Sequence, residues 1–185
     1  NCFFHIGCSL AMRGKYDHAV RCWTRVLQIE PDYPGVHTRI ARAYRAQSRH
    51  DAAREEYLEE IRSDPGDTDL LIEFAEAEYE AGHVDEAVAK LNQVLELDPE
   101  ETKACVLLGG IYFETERYSQ AVRCFHRALS LDDKFSGLHG HIGRTLYQLG
   151  KHKSAAKHLR MALKEQPKDK SILACLASCQ FSLEQ

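Results

Sequence analysis

Every thirty-fourth residue counted from Gly7 is glycine or alanine: Gly7, Ala41, Ala75, Gly109, Gly143 and Ala177. No other feature limits the fold of this chain so tightly. Counted from Ala19, the same step gives Ala19, Ala53, Ala87, Ala121 and Ala155, all alanine. From Trp23 it gives Trp23, Tyr57, Leu91, Phe125 and Leu159, always large and apolar or aromatic. From Pro31 it gives Pro31, Pro65, Pro99, Asp133 and Pro167, so four of the five prolines stand on one ladder. The near-identical phrases YDHAVRCW from Tyr16 and YSQAVRCF from Tyr118 lie 102 residues apart, three steps of 34. A fixed period without insertion or deletion is the signature of a stacked repeat architecture.

Each period reads as two helices. In residues 68–101, Leu71, Phe74, Ala75 and Glu78 follow helical spacing until Gly82 breaks the run. Val84, Ala87, Val88, Leu91, Val94 and Leu95 then form a second apolar stripe at i, i+3, i+4, i+7. Pro99 ends that stripe, because proline lacks an N–H and disfavours helix in the residue before it. Asp67 and Thr68 are candidate caps for the next helix. The small residues are expected to let the two helices of a pair approach. The bulky ladder is expected to fill the groove between repeats. One pair cannot bury both faces, so pairs must stack and share a core.

The period, and the order of small residue, Ala twelve later, bulky residue four later and Pro eight later (Ala75, Ala87, Leu91, Pro99), resemble the tetratricopeptide repeat family. The resemblance covers essentially the whole chain. It implies an all-α, right-handed superhelical solenoid of helix-turn-helix repeats that binds protein or peptide in a concave groove lined by first helices. Repeats are expected at 1–33, 34–67, 68–101, 102–135 and 136–169, with the first helix of a sixth at 170–185. They are expected to form a single array that is part of a longer protein. Some positions depart from the pattern. Glu60 stands where Val26, Val94, Ala128 and Ala162 stand, Asp133 takes the place of a proline, and Ser48 and Glu116 replace the inter-helix glycine of Gly14, Gly82 and Gly150. These changes put local packing and turn geometry in question.

On the inner face implied by that resemblance, the position four after the small residue reads Ala11, Arg45, Tyr79, Phe113, Tyr147, Phe181. The position one after it reads Cys8, Arg42, Glu76, Gly110, Arg144, Ser178. The candidate binding residues are therefore Arg42, Arg45, Glu76, Tyr79, Phe113, Arg144 and Tyr147. Two readings stand for the aromatics: packing against a neighbouring helix, or a track for an extended or helical peptide. The 34-residue register pairs Arg39 with Glu73 and Arg42 with Glu76, so salt bridging between repeats stands beside an acidic patch that steers a basic partner. A carboxylate clamp of the kind some family members carry is not expected, because the frame on repeats two to four puts Glu73 and Leu107 where amide and cationic groups are needed.

The remaining composition excludes more than it suggests. Net charge is −4, no apolar run has the length of a membrane span, and no Gly-rich phosphate loop occurs. The inner series shows no recurrent polar pair of the kind a base-per-repeat RNA reader needs. Seven cysteines without a Cys-x-x-Cys, and histidines His139 and His141 two apart and so on different faces, give no metal spacing. The expectation is a protein- or peptide-binding scaffold without catalysis, cofactor, metal, nucleic acid or membrane insertion, and cytoplasmic. The alternative is a substrate-docking or oligomerisation arm of a larger enzyme or secretion complex. The apolar stretches NCFFHIGCSLAM and SILACLASCQFSL would then serve self-association.

Overall fold

The ladder prolines mark helix ends in the computed structural model, which describes residues 2–184. The helices are α1 (Cys2–Met12), α2 (Tyr16–Ile29), α3 (Val36–Arg45), α4 (His50–Ser63), α5 (Thr68–Glu80), α6 (Val84–Leu97), α7 (Thr102–Glu114), α8 (Tyr118–Leu131), α9 (Leu138–Gln148), α10 (His152–Glu165) and α11 (Lys170–Glu184). Pro31, Pro65, Pro99 and Pro167 each stand two residues past a helix end. Asp133 does the same after α8, with the neighbouring Asp132 carboxylate accepting from the Lys134 N–H at 2.9 Å. The same turn is made by Asp64 around Pro65 and by Asp98 around Pro99, so it persists where the proline is missing. No strand occurs among the described residues, and none of their helices is long and apolar enough to cross a membrane.

The chain divides into two compact units, residues 1–93 and 94–185, with the division inside α6. In the first, α1 packs on α2, α2 on α3, α3 on α4 and α4 on α5. One core gathers Ala19, Trp23, Val26, Val36, Ile40 and Ala43, and a second gathers Ala41, Ala53, Tyr57, Leu70, Phe74 and Ala77. In the second unit the same succession runs from α7 to α11, over buried Ala121, Phe125, Ala128, Ile142, Leu146, Ala155 and Leu159.

The Gly/Ala ladder makes room for side chains as well as for the approach of the second helix, whose Leu159 backbone N would stand 3.2 Å from a Cβ at Gly143. A Cβ at Gly7 would stand 2.5 Å from the Trp23 ring, one at Gly109 2.7 Å from Phe125, and one at Gly143 2.7 Å from Leu159. Small residues therefore seat the bulky ladder of their own helix pair. The bulky residue also reaches onward: Phe125 stacks on His141 at 5.1 Å, and Tyr57 lies 5.7 Å from Phe74.

The turn geometry questioned at Ser48 and Glu116 is the shared one. Ser48 (φ 57°) and Glu116 (φ 60°) take the left-handed conformation of Gly14, Gly82 and Gly150. At each of the five turns, the residue after this position donates its N–H to the carbonyl five residues back. Examples are Lys15 to Leu10, Arg49 to Tyr44 and Arg117 to Tyr112. This closes the first helix with the two nested bonds of a Schellman motif.

Candidate functional site

The first helices of the 1–93 unit place the candidate residues Arg42 and Arg45 on α3 and Glu76 and Tyr79 on α5. Arg42 holds Glu73 with two bonds of 2.6 Å, and Arg45 holds Glu80 with two of 2.6 Å and lies 3.6 Å from Glu76. Glu73, the register counterpart of Arg39, is thus held by Arg42 instead. Arg42 reaches one turn N-terminal to its counterpart Glu76, as side chains that lean toward the helix N-terminus do, whereas Arg45 reaches Glu80, the residue after its counterpart Tyr79. Arg39 lies instead over the Phe4 ring at 4.9 Å. The Tyr57 hydroxyl adds a bond to Glu73 at 2.7 Å. Burial pushes the Glu73 carboxyl up, but the bonds from Arg42 and Tyr57 outweigh it and hold the carboxyl below its ordinary value. The bond from Arg45 does the same for Glu80. Two candidate cations are thus already engaged by acids of the neighbouring first helix.

A pocket of about 370 Å³ opens between α1 and α3. Cys8, Ala11, Trp23, Ala43 and Ala46 give it an apolar lining, Tyr16 and Met12 stand at its wall, and Arg39 and Arg42 supply positive charge. Met12 is 90% exposed. Three of these residues, Cys8, Ala11 and Arg42, belong to the inner-face series read from the sequence. A larger cavity of about 670 Å³ lies along the Pro31–Gly35 loop. There Glu60 accepts from the Gly35 N–H at 2.9 Å and the Thr38 N–H at 3.1 Å, which explains a charge at a position that is apolar in other repeats.

In the 94–185 unit, Phe113 and Tyr147 are half-buried. Each packs on the first residue of its own second helix: Phe113 meets Tyr118 at 5.6 Å, and Tyr147 meets His152 at 5.3 Å. Both rings thus contact a neighbouring helix and remain partly exposed. Gly110 has open space where a Cβ would stand. Arg144 donates to His141 Nδ1 at 3.2 Å, and its Nε is buried without a partner. Burial, then the Arg144 charge, lowers the His141 pKa.

Other side chains meet across helix pairs at a spacing that the period does not expose. Nineteen residues separate His37 from Glu56, which meet at 2.7 Å, and His139 from His158, whose Nδ1 atoms are 3.1 Å apart. Glu78, 2% exposed, is held by Arg54 and His83. Among the described residues no group of three or more His, Cys, Asp or Glu is placed to hold a metal ion.

Tetratricopeptide repeat family models match residues 5–68 and 111–170, and another matches residues 78–134. The chain belongs to the tetratricopeptide repeat family. TPR repeat-containing protein YpiA of Bacillus subtilis is 22% identical over the full 185 residues, which span 43% of that relative. The chain therefore covers less than half of YpiA's length. A tetratricopeptide repeat protein from Parabacteroides merdae superposes with a TM-score of 0.84 at 17% identity, over 98% of this chain and 72% of that one. YrrB, described as a TPR protein with an unusual peptide-binding site, gives 0.75 at 15% identity, over 93% and 89%. Such likeness shows the all-α helical-repeat fold. Tetratricopeptide repeat proteins generally mediate protein–protein interactions.

Proposed function

We propose that this tetratricopeptide array is an interaction scaffold that binds a peptide or protein segment along its first helices. Arg42, Arg45, Glu76, Tyr79, Phe113, Arg144 and Tyr147 are the wall residues of that reading. The observation that carries it is the pocket between α1 and α3, where an apolar lining meets the Arg39 guanidinium and the Arg42 side chain held by Glu73. A concave apolar site with a few polar groups at its rim suits a side chain anchored by its neighbours. The peptide-binding site described for YrrB supports a binding role for this fold.

The reading is tested by panning a random peptide library against the chain and against an Ala11→Asp/Ala46→Asp variant. Introducing carboxylates into the apolar lining should weaken the selected peptides at least about tenfold, about 1.4 kcal/mol, while circular dichroism stays helical. Peptides that bind both proteins equally would sink the pocket. A Tyr79→Ala/Phe113→Ala variant extends the same assay to the other candidate wall residues.

A second reading makes the array a docking or oligomerisation arm of a larger enzyme or assembly complex. The exposed apolar side chains Phe3 and Ile6 on α1, and Leu173, Phe181 and Leu183 on α11, favour it. Light scattering over a concentration series separates the two, since a single-chain mass throughout counts against the arm.

A further inference from the structure

The exposed face of α8 and α10 carries charge of one sign. On α10, Lys153, Lys157, Arg160 and Lys164 follow at i, i+4, i+7 and i+11, and all four are exposed. That spacing keeps them on one face, over a length of about 16 Å at 1.5 Å per residue. On α8, Arg123 and Arg127 are exposed one turn apart. The α8 sequence contains no Asp or Glu, and α10 contains only Glu165 at its last position, where the carboxylate accepts from the Gly137 N–H at 3.3 Å. None of the six cations has an ion-pair partner among the described residues, although Arg127 donates to the Pro99 carbonyl. In residues 1–93, by contrast, Arg42, Arg45, Arg49, Arg54 and Arg62 all stand in ion pairs.

Three imidazoles from three helices join these cations. The His158 ring of α10 lies 5.2 Å from His139 of α9 and 5.6 Å from His126 of α8. Burial, then the neighbouring His139, His126 and Lys157, push His158 down to about 4. Bases gathered without an acid are what an incoming anion would relieve, since a carboxylate lets an imidazole take up a proton.

We propose that the α8–α10 face docks an acidic segment of a partner protein, its carboxylates along the Lys153–Lys164 stripe and at the histidine cluster. A protein segment fits better than the other polyanions. Met161, 36% exposed, sits inside the stripe and offers an apolar contact that a phosphate backbone leaves unused. Neither α8 nor α10 exposes a Phe, Tyr, Trp, Asn or Gln, which leaves His126 as the one exposed aromatic ring on the two helices for base stacking. The apolar side chains exposed on the two helices are Met161 and Leu131, too few to enter a bilayer interface. Residues 1–93 hold eleven Lys and Arg against seventeen Asp and Glu, a net −6. With the whole chain at −4, a long polyanion is disfavoured relative to a short acidic stretch.

The test uses the full chain and three probes: a labelled oligoglutamate peptide, a mixed-sequence DNA duplex, and vesicles containing phosphatidylserine. Oligoglutamate should bind, and weaken with salt. A Lys157→Glu/Arg160→Glu variant should lose at least about tenfold in affinity with an unchanged helical melt. A Lys153→Gln/Lys157→Gln/Arg160→Gln variant should lose affinity in the same direction without adding like charge. Bound oligoglutamate should also raise the His158 pKa read from its imidazole proton resonances. No binding at moderate salt, equal affinity for the variants, an unmoved His158, or tighter binding of the duplex or the vesicles through these same cations would each overturn the proposal.

Discussion

Gly109 and Gly110 are neighbours in α7 with opposite consequences for substitution. A Cβ at Gly109 would lie 2.7 Å from the Phe125 ring, which is itself 1% exposed and stacked on His141. The ring has little room to retreat, so Gly109→Ala should cost about 1–3 kcal/mol through overpacking, less what alanine returns in helix propensity. A Cβ at Gly110 meets nothing within 4 Å. There the propensity gain stands alone, and Gly110→Ala should stabilise by about 0.5–1 kcal/mol. Chemical denaturation of the two variants checks the pair. Equal effects would mean that the bulky ladder does not set the small one. The left-handed Ser48 and Glu116 are the converse case, since glycine there removes a steric cost and each should tolerate it.

At the scale of the element, α3 and α9 begin unlike the other first helices. Each follows a left-handed glycine, Gly35 (φ 72°) or Gly137 (φ 83°), and neither has a side-chain cap of its own. A carboxylate from the second helix of the pair serves instead, Glu60 for α3 and Glu165 for α9. Negative charge at a helix N-terminus is favourable, and losing a cap costs about 0.5–2 kcal/mol. Glu60→Val, which restores the apolar residue of Val26 and Val94, should therefore destabilise. Amide exchange should accelerate first at Gly35 and Thr38; a more stable variant would refute the cap. This is also where legibility in the sequence divides. Helix ends and pairing were readable because glycine, alanine and proline obey backbone and steric rules at fixed positions. Glu60 was visible only as an exception, and Glu165 does not occupy the matching register. Arg42 with Glu73, and His139 with His158, escaped because a period compares equivalent places in different repeats. Side-chain reach joins different places, within one pair or across two. Which residues of the inner wall meet a partner depends on the occupant's shape, and no repeat ladder encodes that.

At the scale of the whole molecule, charge makes stability depend on pH in two stages. Between neutrality and about pH 4 the imidazoles govern. In the unfolded chain His158 takes a proton near the ordinary histidine value of about 6.5, whereas in the folded chain it resists until about 4. The unfolded state thus binds more protons in that window, and stability falls as the pH falls through it. His141, lowered by burial and by Arg144, acts in the same direction. Further acidification reaches Glu73 and Glu80, held below their ordinary value once their arginine bonds are counted. Their contribution is present above about pH 4.5 and is lost as the pH falls through the folded values. His158→Cys separates the stages. Cys124 fills the equivalent place one repeat earlier, so the fold accepts that side chain, and a thiol does not titrate in acid. The variant should melt along a flatter curve from pH 6.5 to 5, with the carboxylate limb below unchanged. Each kcal/mol retained should be worth about 2–4 °C in Tm for a chain of this size. Parallel curves for the two proteins in that window would show that the crowded imidazoles carry no acid lability, and that relief of their crowding cannot be what draws an anion to the α8–α10 face.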